Sequence, residues 1–274
     1  MMTERGAEMR LVADRLSVDP CGPNLITVRF VAWGCSGEIV LPLMNRHAAL
    51  AIATAAAEEV WRIERKYPHY SKCKDIAHVD VREGAANTLD GETTSLLEYS
   101  RRCREASAEL LCASSRVTRR AANENGLARE VECDLTSVAR DYAVDRACEL
   151  LAWRDWAPCL VKLGSRWRAH RTPSQGVWQI ENESPDANPV GGKPLRLDQG
   201  ALATSAPSAR QSKSGLRVER ATLARRWGTP VGPRFITVAA DTCQKAGFLS
   251  SVALLHGPGA HRFLQEEGHR YWFG

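Results

Sequence analysis

The chain has 274 residues, enough for one large domain or two small ones. Its 44% hydrophobic and 25% charged content is that of an ordinary globular protein. No apolar run approaches the ~20 residues that cross a bilayer. Met1 to Asp14 carries charges of both signs and no apolar stretch, so no signal peptide is read and the cytosol is the expected compartment.

The nine cysteines are scattered, odd in number and form no C-x-x-C pair, which argues against a disulfide framework and a zinc site. The net charge of +5 is mild for this length. Its densest basic cluster, Arg217, Arg220, Arg225 and Arg226, reads as a solvated face. A basic nucleic-acid-interacting protein is carried as a contrasting possibility that predicts salt-sensitive binding, but no nucleic-acid motif accompanies the charge.

In chain order, Asn24 to Leu41 reads as a hairpin, with Ile26, Val28 and Phe30 alternating before Gly34 and Gly37, and Ile39 and Leu41 after. Arg46 to Lys66 is an Ala-rich helix that Pro68 ends. Tyr67 to Asp80 is polar and aromatic, Thr94 to Ser107 is helical, and Arg116 to Glu130 is a basic surface connection.

Val131 to Leu135 alternates as a short strand, and Thr136 and Ser137 then offer hydroxyls to cap the next helix. That helix has an apolar stripe of Val144, Cys148 and Leu151 flanked by Ala143, Ala147 and Leu150. Cys148 there is a small core residue. Arg140 sits in the first helical turn, where the helix dipole disfavours a cation unless an anion is held beside it. Pairing with Asp141 or Asp145, or reaching solvent, is the plainer explanation.

Further strands are expected at Cys159 to Leu163, Trp167 to Ala169, Gly176 to Glu181, Leu195 to Leu197, Ala201 to Ser205 and Phe235 to Ala239. Asn182 to Lys193 is a loop whose Gly-Gly-Lys lacks the P-loop frame, and Pro207 to Arg217 is a Ser-rich flexible stretch. Thr242 to His256 and Pro258 to Gly268 are helices, and Tyr271 to Phe273 is a final strand. Long stretches of strand after strand favour α+β with a mixed or antiparallel sheet and flanking helices over a doubly wound fold.

The order of these segments resembles the ApbE family, the FAD:protein FMN transferases, from about Val28 to the C-terminus. The family's M-G-T hairpin resembles Trp33, Gly34, Cys35, and its E-x-x-F-S-x-Y resembles Glu64, Tyr67, Pro68, Tyr70. G-x-F-D-x-T is similar in outline to Glu109 through Ser114. The fullest match sets L-D-x-G-G-I-A-K-G-Y-A-V-D against Cys133 to Asp145. V-N-L-G-G-D resembles Val161 to Arg166, A-T-S-G resembles Ala203 to Ala206, and A-D-A-L-S-T-A-L resembles Ala246 to Leu254.

This resemblance implies one ApbE-like domain over residues 24–274 after an N-terminal segment of residues 1–23. It implies FAD as ligand, magnesium at the pyrophosphate, and as partner a flavoprotein with an acceptor threonine, whose hydroxyl attacks the FMN phosphorus while AMP leaves. The cofactor-binding candidates it implies are Trp33, Tyr70, Asp134 and Arg140. Ser137 and Ser251 are the implied metal ligands, Ser251 standing at the family's metal-binding Thr. No catalytic residue is assigned. Tyr70 as a half-buried aromatic and Asp134 as a helix cap are the competing structural explanations.

Four departures fall on the chemistry. The family's metal-binding Asp is matched by Gly247, and its H-x-x-D-P-x-x-G has become Ala221 to Gly228, without His or Asp. The K-G pair is Arg140–Asp141, and the G-G pairs are Thr136–Ser137 and Gly164–Ser165. Asp141 sets a negative charge beside a pyrophosphate. A flavin- or flavoprotein-binding member without transfer activity is therefore the alternative function. If the family geometry holds, Gly247→Asp should add Mg²⁺ binding, and whether a carboxylate from elsewhere, such as Asp241, takes the place of the lost ligand is left open by the sequence.

Overall fold

The structure is a computed structural model in which residues 15–20, 24–42, 45–68, 90–106, 136–172, 176–180, 194–206 and 233–274 are described. A strand absent from the sequence reading, β1 (Ser17–Pro20), pairs antiparallel with β2 (Leu25–Ala32). β2 forms the expected hairpin with β3 (Cys35–Pro42). Trp33 and Gly34 make its two-residue turn with φ of 48° and 70°. Two successive left-handed residues match the twist of the strands they join.

Helix α1 (Arg46–Lys66) has the limits the sequence predicts. The Asn45 side chain accepts hydrogen bonds from the His47 and Ala48 amides at its start. Helix α2 (Gly91–Ala106) and helix α3 (Thr136–Trp153) follow. Then come β4 (Cys159–Leu163), β5 (Arg166–His170), β6 (Trp178–Ile180), β7 (Leu195–Leu197), β8 (Gly200–Ser205) and β9 (Ile236–Ala240).

Helix α4 (Cys243–His256) starts on Thr242, whose hydroxyl accepts from the Lys245 amide. It ends at Gly257 with φ 54°. The stretch predicted as one helix from Pro258 is therefore a 3-10 turn, Gly257–Gly259, and then α5 (Ala260–Glu266). Strand β10 (Tyr271–Phe273) closes the chain.

Among the described residues, eight strands form one sheet in the order β1-β2-β3-β4-β5-β8-β9-β10, and β6 and β7 form a separate ribbon. Each pairing is antiparallel, which resolves the mixed-or-antiparallel alternative. The fold is α+β.

Alternation along the strands divides the core by face. Val28, Ile39, Leu41 and Val161 pack with α1 and α3, burying Ala53, Val60, Val144 and Leu151. Ile236 and Val238 pack under α4 and α5. On the other face Val40, Trp167, Ala169 and Leu202 meet the ribbon residues Trp178, Ile180, Leu195 and Leu197.

Strand β5 has a consequence for the site. Trp167 and Ala169 face the ribbon, so Arg166 and Arg168 face the helices. They meet Asp141 and Asp145 of α3. The spacings match: residues i and i+2 of a strand are about 6.7 Å apart, and i and i+4 of a helix about 6 Å. Ala201 and Ala203 stand opposite Arg168 and Arg166 on β8, small residues beside two long ones.

Candidate functional site

Five segments of the family-like pattern converge where the β2–β3 turn, the β4–β5 turn, the end of β8 and the first turns of α3 meet α4. The Trp33 amide donates to Glu64, and the indole N–H donates to the Tyr67 carbonyl at 3.0 Å. Trp33 is buried, with its turn held onto the end of α1. Two residues after Trp33, Cys35 Sγ accepts from Arg140 Nη1 at 3.7 Å. Gly164 donates its amide to the Ser36 carbonyl at 2.8 Å, and a Cβ on Gly164 would lie 3.6 Å from Cys35. Gly164 also carries φ 56°, which glycine adopts without strain.

Arg140 faces this junction. Its partners are not the neighbouring carboxylates. Asp141 belongs to Arg166, whose Nε donates to Asp141 Oδ1 at 2.7 Å. Asp145 caps α4, accepting the Cys243 and Gln244 amides at 2.8 and 3.1 Å with Arg168 at 3.5 Å. Arg140 Nε is buried with no acceptor among the described residues. A buried N–H without a partner is costly, and an anion seated beside it would remove that cost.

Arg166 continues across the sheet. Its Nη1 donates to Ser165 Oγ at 2.9 Å and to the Thr204 carbonyl at 2.6 Å. Ser205 at the end of β8 turns its hydroxyl to Ser250 and Ser251 of α4, at 2.8 and 3.1 Å. Burial pushes the Asp141 carboxyl up, while the guanidinium on it pulls the other way. Burial likewise pushes Asp145 up to about 6, against the two amides and Arg168.

Gly247 explains itself in this setting. A Cβ there would lie 2.0 Å from Asp141 Oδ2 and 3.5 Å from Arg166 Nε. The Asp141 carboxylate thus occupies the space a side chain at 247 would fill. This corrects one expectation and answers one open question. Gly247→Asp would collide with Asp141 rather than complete a metal site. The carboxylate that comes to this place is Asp141, whereas Asp241 is exposed beyond the end of β9.

The described residues do not fit a divalent ion. Magnesium takes oxygen ligands, carboxylates above all. The Asp141 carboxylate already holds a guanidinium, and the buried Ser251 hydroxyl is hydrogen-bonded to Ser205. Ser137 lies in the first turn of α3, its side chain outside the described residues. Among the described residues no three His, Cys, Asp or Glu side chains gather to hold a metal. Tyr70, Asp134, the segment Glu109 to Ser114, Ala221 to Gly228 and the basic cluster at Arg217 to Arg226 also lie outside the described residues.

Asp141 reads in sequence only as an adverse charge beside the pyrophosphate and Arg166 only as the end of a family-like segment; their pairing was missed. A signal was present. Asp141 and Asp145 fall at the i and i+4 positions of the apolar stripe of α3, and two acids on a buried stripe require cations from elsewhere. The alternation Arg166-Trp167-Arg168 supplies two such cations on one face of a strand.

The family described as the ApbE family matches residues 113–273, more than half of the chain. Among solved structures, the ApbE protein of Thermotoga maritima is 19% identical with a TM-score of 0.61, covering 90% of this chain and 93% of that one. The flavin transferase ApbE of Vibrio cholerae is 14% identical with a TM-score of 0.60 and 94% coverage of both chains. The flavinyl transferase ApbE of Pseudomonas stutzeri, apo form, is 15% identical with a TM-score of 0.57, covering 94% of this chain and 93% of that one. At these identities the likeness is one of fold. No curated protein matches. Among the described residues no helix is long and apolar enough to cross a membrane.

Proposed function

The chain belongs to the ApbE family, and on that premise we propose that it binds FAD at the junction around Arg140. We propose further that it passes the FMN half to a threonine of a target flavoprotein. In that reaction the threonine oxygen forms a bond to the FMN phosphorus. The bond from that phosphorus to the bridging oxygen breaks, AMP leaves with the bridging oxygen, and the hydroxyl proton passes to solvent. One observation carries the proposal. The segments around Trp33, Glu64, Arg140, Arg166 and Ser251 are far apart in the chain, yet hydrogen bonds and close packing join them at one place. The work that falls to the residues is electrostatic: Arg140 contributes charge to a pyrophosphate, and a dry site strengthens that contact. The cytosolic setting is part of the same proposal.

A second function has its own support. Asp141 filling the space at Gly247 and Ser251 bonded to Ser205 favour, as the alternative, a chain that binds the flavin or a flavoprotein without transferring FMN. Incubation with FAD and a target domain bearing the acceptor threonine separates the two. Mass spectrometry reports an FMN-sized addition, and flavin fluorescence follows binding in parallel. Transfer supports the first function. Binding without transfer supports the second. Absence of both, when an active family enzyme modifies the same target, rejects the FAD proposal.

A further inference from the structure

We propose that the Arg166 guanidinium, seated on the Asp141 carboxylate, is the resident cation of this site, and that the dinucleotide's pyrophosphate binds against it without a divalent metal ion. The proposal rests on the FAD reading above and specifies how the anion is held.

A side chain at 247 is replaced by the Asp141 carboxylate, with Oδ2 2.0 Å from where that Cβ would be. The carboxylate has not been lost. It arrives from α3 instead of α4, from the residue next to Arg140. Four acceptors surround the Arg166 guanidinium: Asp141 Oδ1 at 2.7 Å, Ser165 Oγ at 2.9 Å, the Thr204 carbonyl at 2.6 Å and the Ser165 carbonyl at 3.4 Å. A carboxylate, a hydroxyl and two carbonyls are the donor set that a hard cation would take. Here a guanidinium takes it, and a second cation brought to the same oxygens would meet like charge.

Arg166 makes its hydrogen bonds to described residues through Nε and Nη1, and Nη2 makes none among them. Its side chain keeps 18% of its surface exposed. Arg140 Nε is a buried donor with no acceptor among the described residues. Asp141 cancels one of the two positive charges and fixes the guanidinium in place, as a carboxylate does for an arginine that must meet a second anion. The dinucleotide pyrophosphate, with one negative charge on each phosphate, then meets fixed cations. Its binding needs no ion from solution.

The test is a titration of the full chain with FAD, followed by flavin fluorescence, in excess EDTA and again in saturating Mg²⁺. The affinities are expected to agree within about twofold. Mn²⁺ alone, followed by electron paramagnetic resonance, is expected to find no tight site. The double variant Asp141→Asn/Arg166→Gln keeps polar side chains at both positions but removes both charges. It should bind FAD about tenfold more weakly in both buffers. Tightening by Mg²⁺ of about tenfold or more, or a tight Mn²⁺ site, overturns the proposal and leaves the FAD reading standing. Unchanged affinity in the folded double variant overturns the role of Arg166. No FAD binding in either buffer by natively folded protein overturns both. If the double variant does not fold, the comparison of EDTA with Mg²⁺ on the unaltered chain still decides.

Discussion

Moving the buried carboxylate from residue 141 to residue 247 is the sharpest perturbation this site offers. Take Asp141→Gly and Gly247→Asp, singly and together. In Asp141→Gly the Arg166 guanidinium loses the acceptor at 2.7 Å in a largely buried setting. Removing one member of a buried pair costs about 3–5 kcal/mol. The added helix glycine costs about half a kcal/mol relative to Asp. In Gly247→Asp the new Cβ lies 2.0 Å from Asp141 Oδ2, so two carboxylates compete for one guanidinium. Overpacking costs about 1–3 kcal/mol, and an uncompensated buried charge brings the loss to about 4 kcal/mol or more.

Together the substitutions relieve each other. The clash disappears, and the carboxylate at 247 starts from a Cβ 3.5 Å from Arg166 Nε, within reach of the same ion pair. The helix propensities exchange and nearly cancel. The double variant should lose only about 1–2 kcal/mol through imperfect geometry. Additive losses would approach 8 kcal/mol or more, enough to unfold a domain of ordinary stability, about 5–15 kcal/mol. Urea denaturation monitored by circular dichroism measures all four chains. The expected coupling is at least about 3 kcal/mol. A double variant whose loss equals the sum of the singles within about 0.5 kcal/mol would refute the claim that Asp141 occupies the place of a side chain at 247.

Two further outcomes follow from other contacts. Arg140→Ala should weaken FAD binding by about tenfold or more, because a charge-assisted hydrogen bond contributes about 1.5–3 kcal/mol; unchanged affinity in a fluorescence titration returns Arg140 to a surface cation. Glu92 ties α2 to α1 and α3 through Arg62, Lys66 and Tyr142, and the Arg62 and Lys66 contacts hold its carboxyl down to about 2. Since that value lies below the model-peptide 4.5, its stabilisation is fully present above pH 4.5 and is lost as pH falls toward 2. Glu92→Gln should therefore lower stability by about 1–2 kcal/mol at pH 7, the shift being discounted for the solvent that screens its partly exposed partners, with the gap to the unaltered chain narrowing on acidification below pH 4.5. A gap independent of pH in urea titrations would remove the ionic explanation.

Local structure was legible in the sequence wherever its determinants are local. Asn45, the Ala-rich run and Pro68 delimit α1 without help from the rest of the chain, and Arg46–Lys66 has the expected limits. Alternation places β4 at Cys159–Leu163, and Thr242 caps α4 as a short polar residue before an apolar helix should. Strand β1 escaped because Ser-Val-Asp-Pro is too short and polar for a periodic signal. It exists only because β2 offers an unpaired edge to it.

The site divides in the same way. The sequence by itself determined which residue types are present: arginine at 140, an acid at 141, glycine at 247 and hydroxyls near the end of α4. It also determined the order of the segments, and so the family. Which charge meets which was decided only by tertiary structure. Asp141 is adjacent to Arg140 in the chain but pairs with Arg166, because β5 turns alternate residues toward α3. Gly247 reads in sequence as a ligand lost. In the fold it is the space that Asp141 fills. A side chain's partner is set by the face of the element that carries it and by what packs on that face, and neither is contained in the residues beside it.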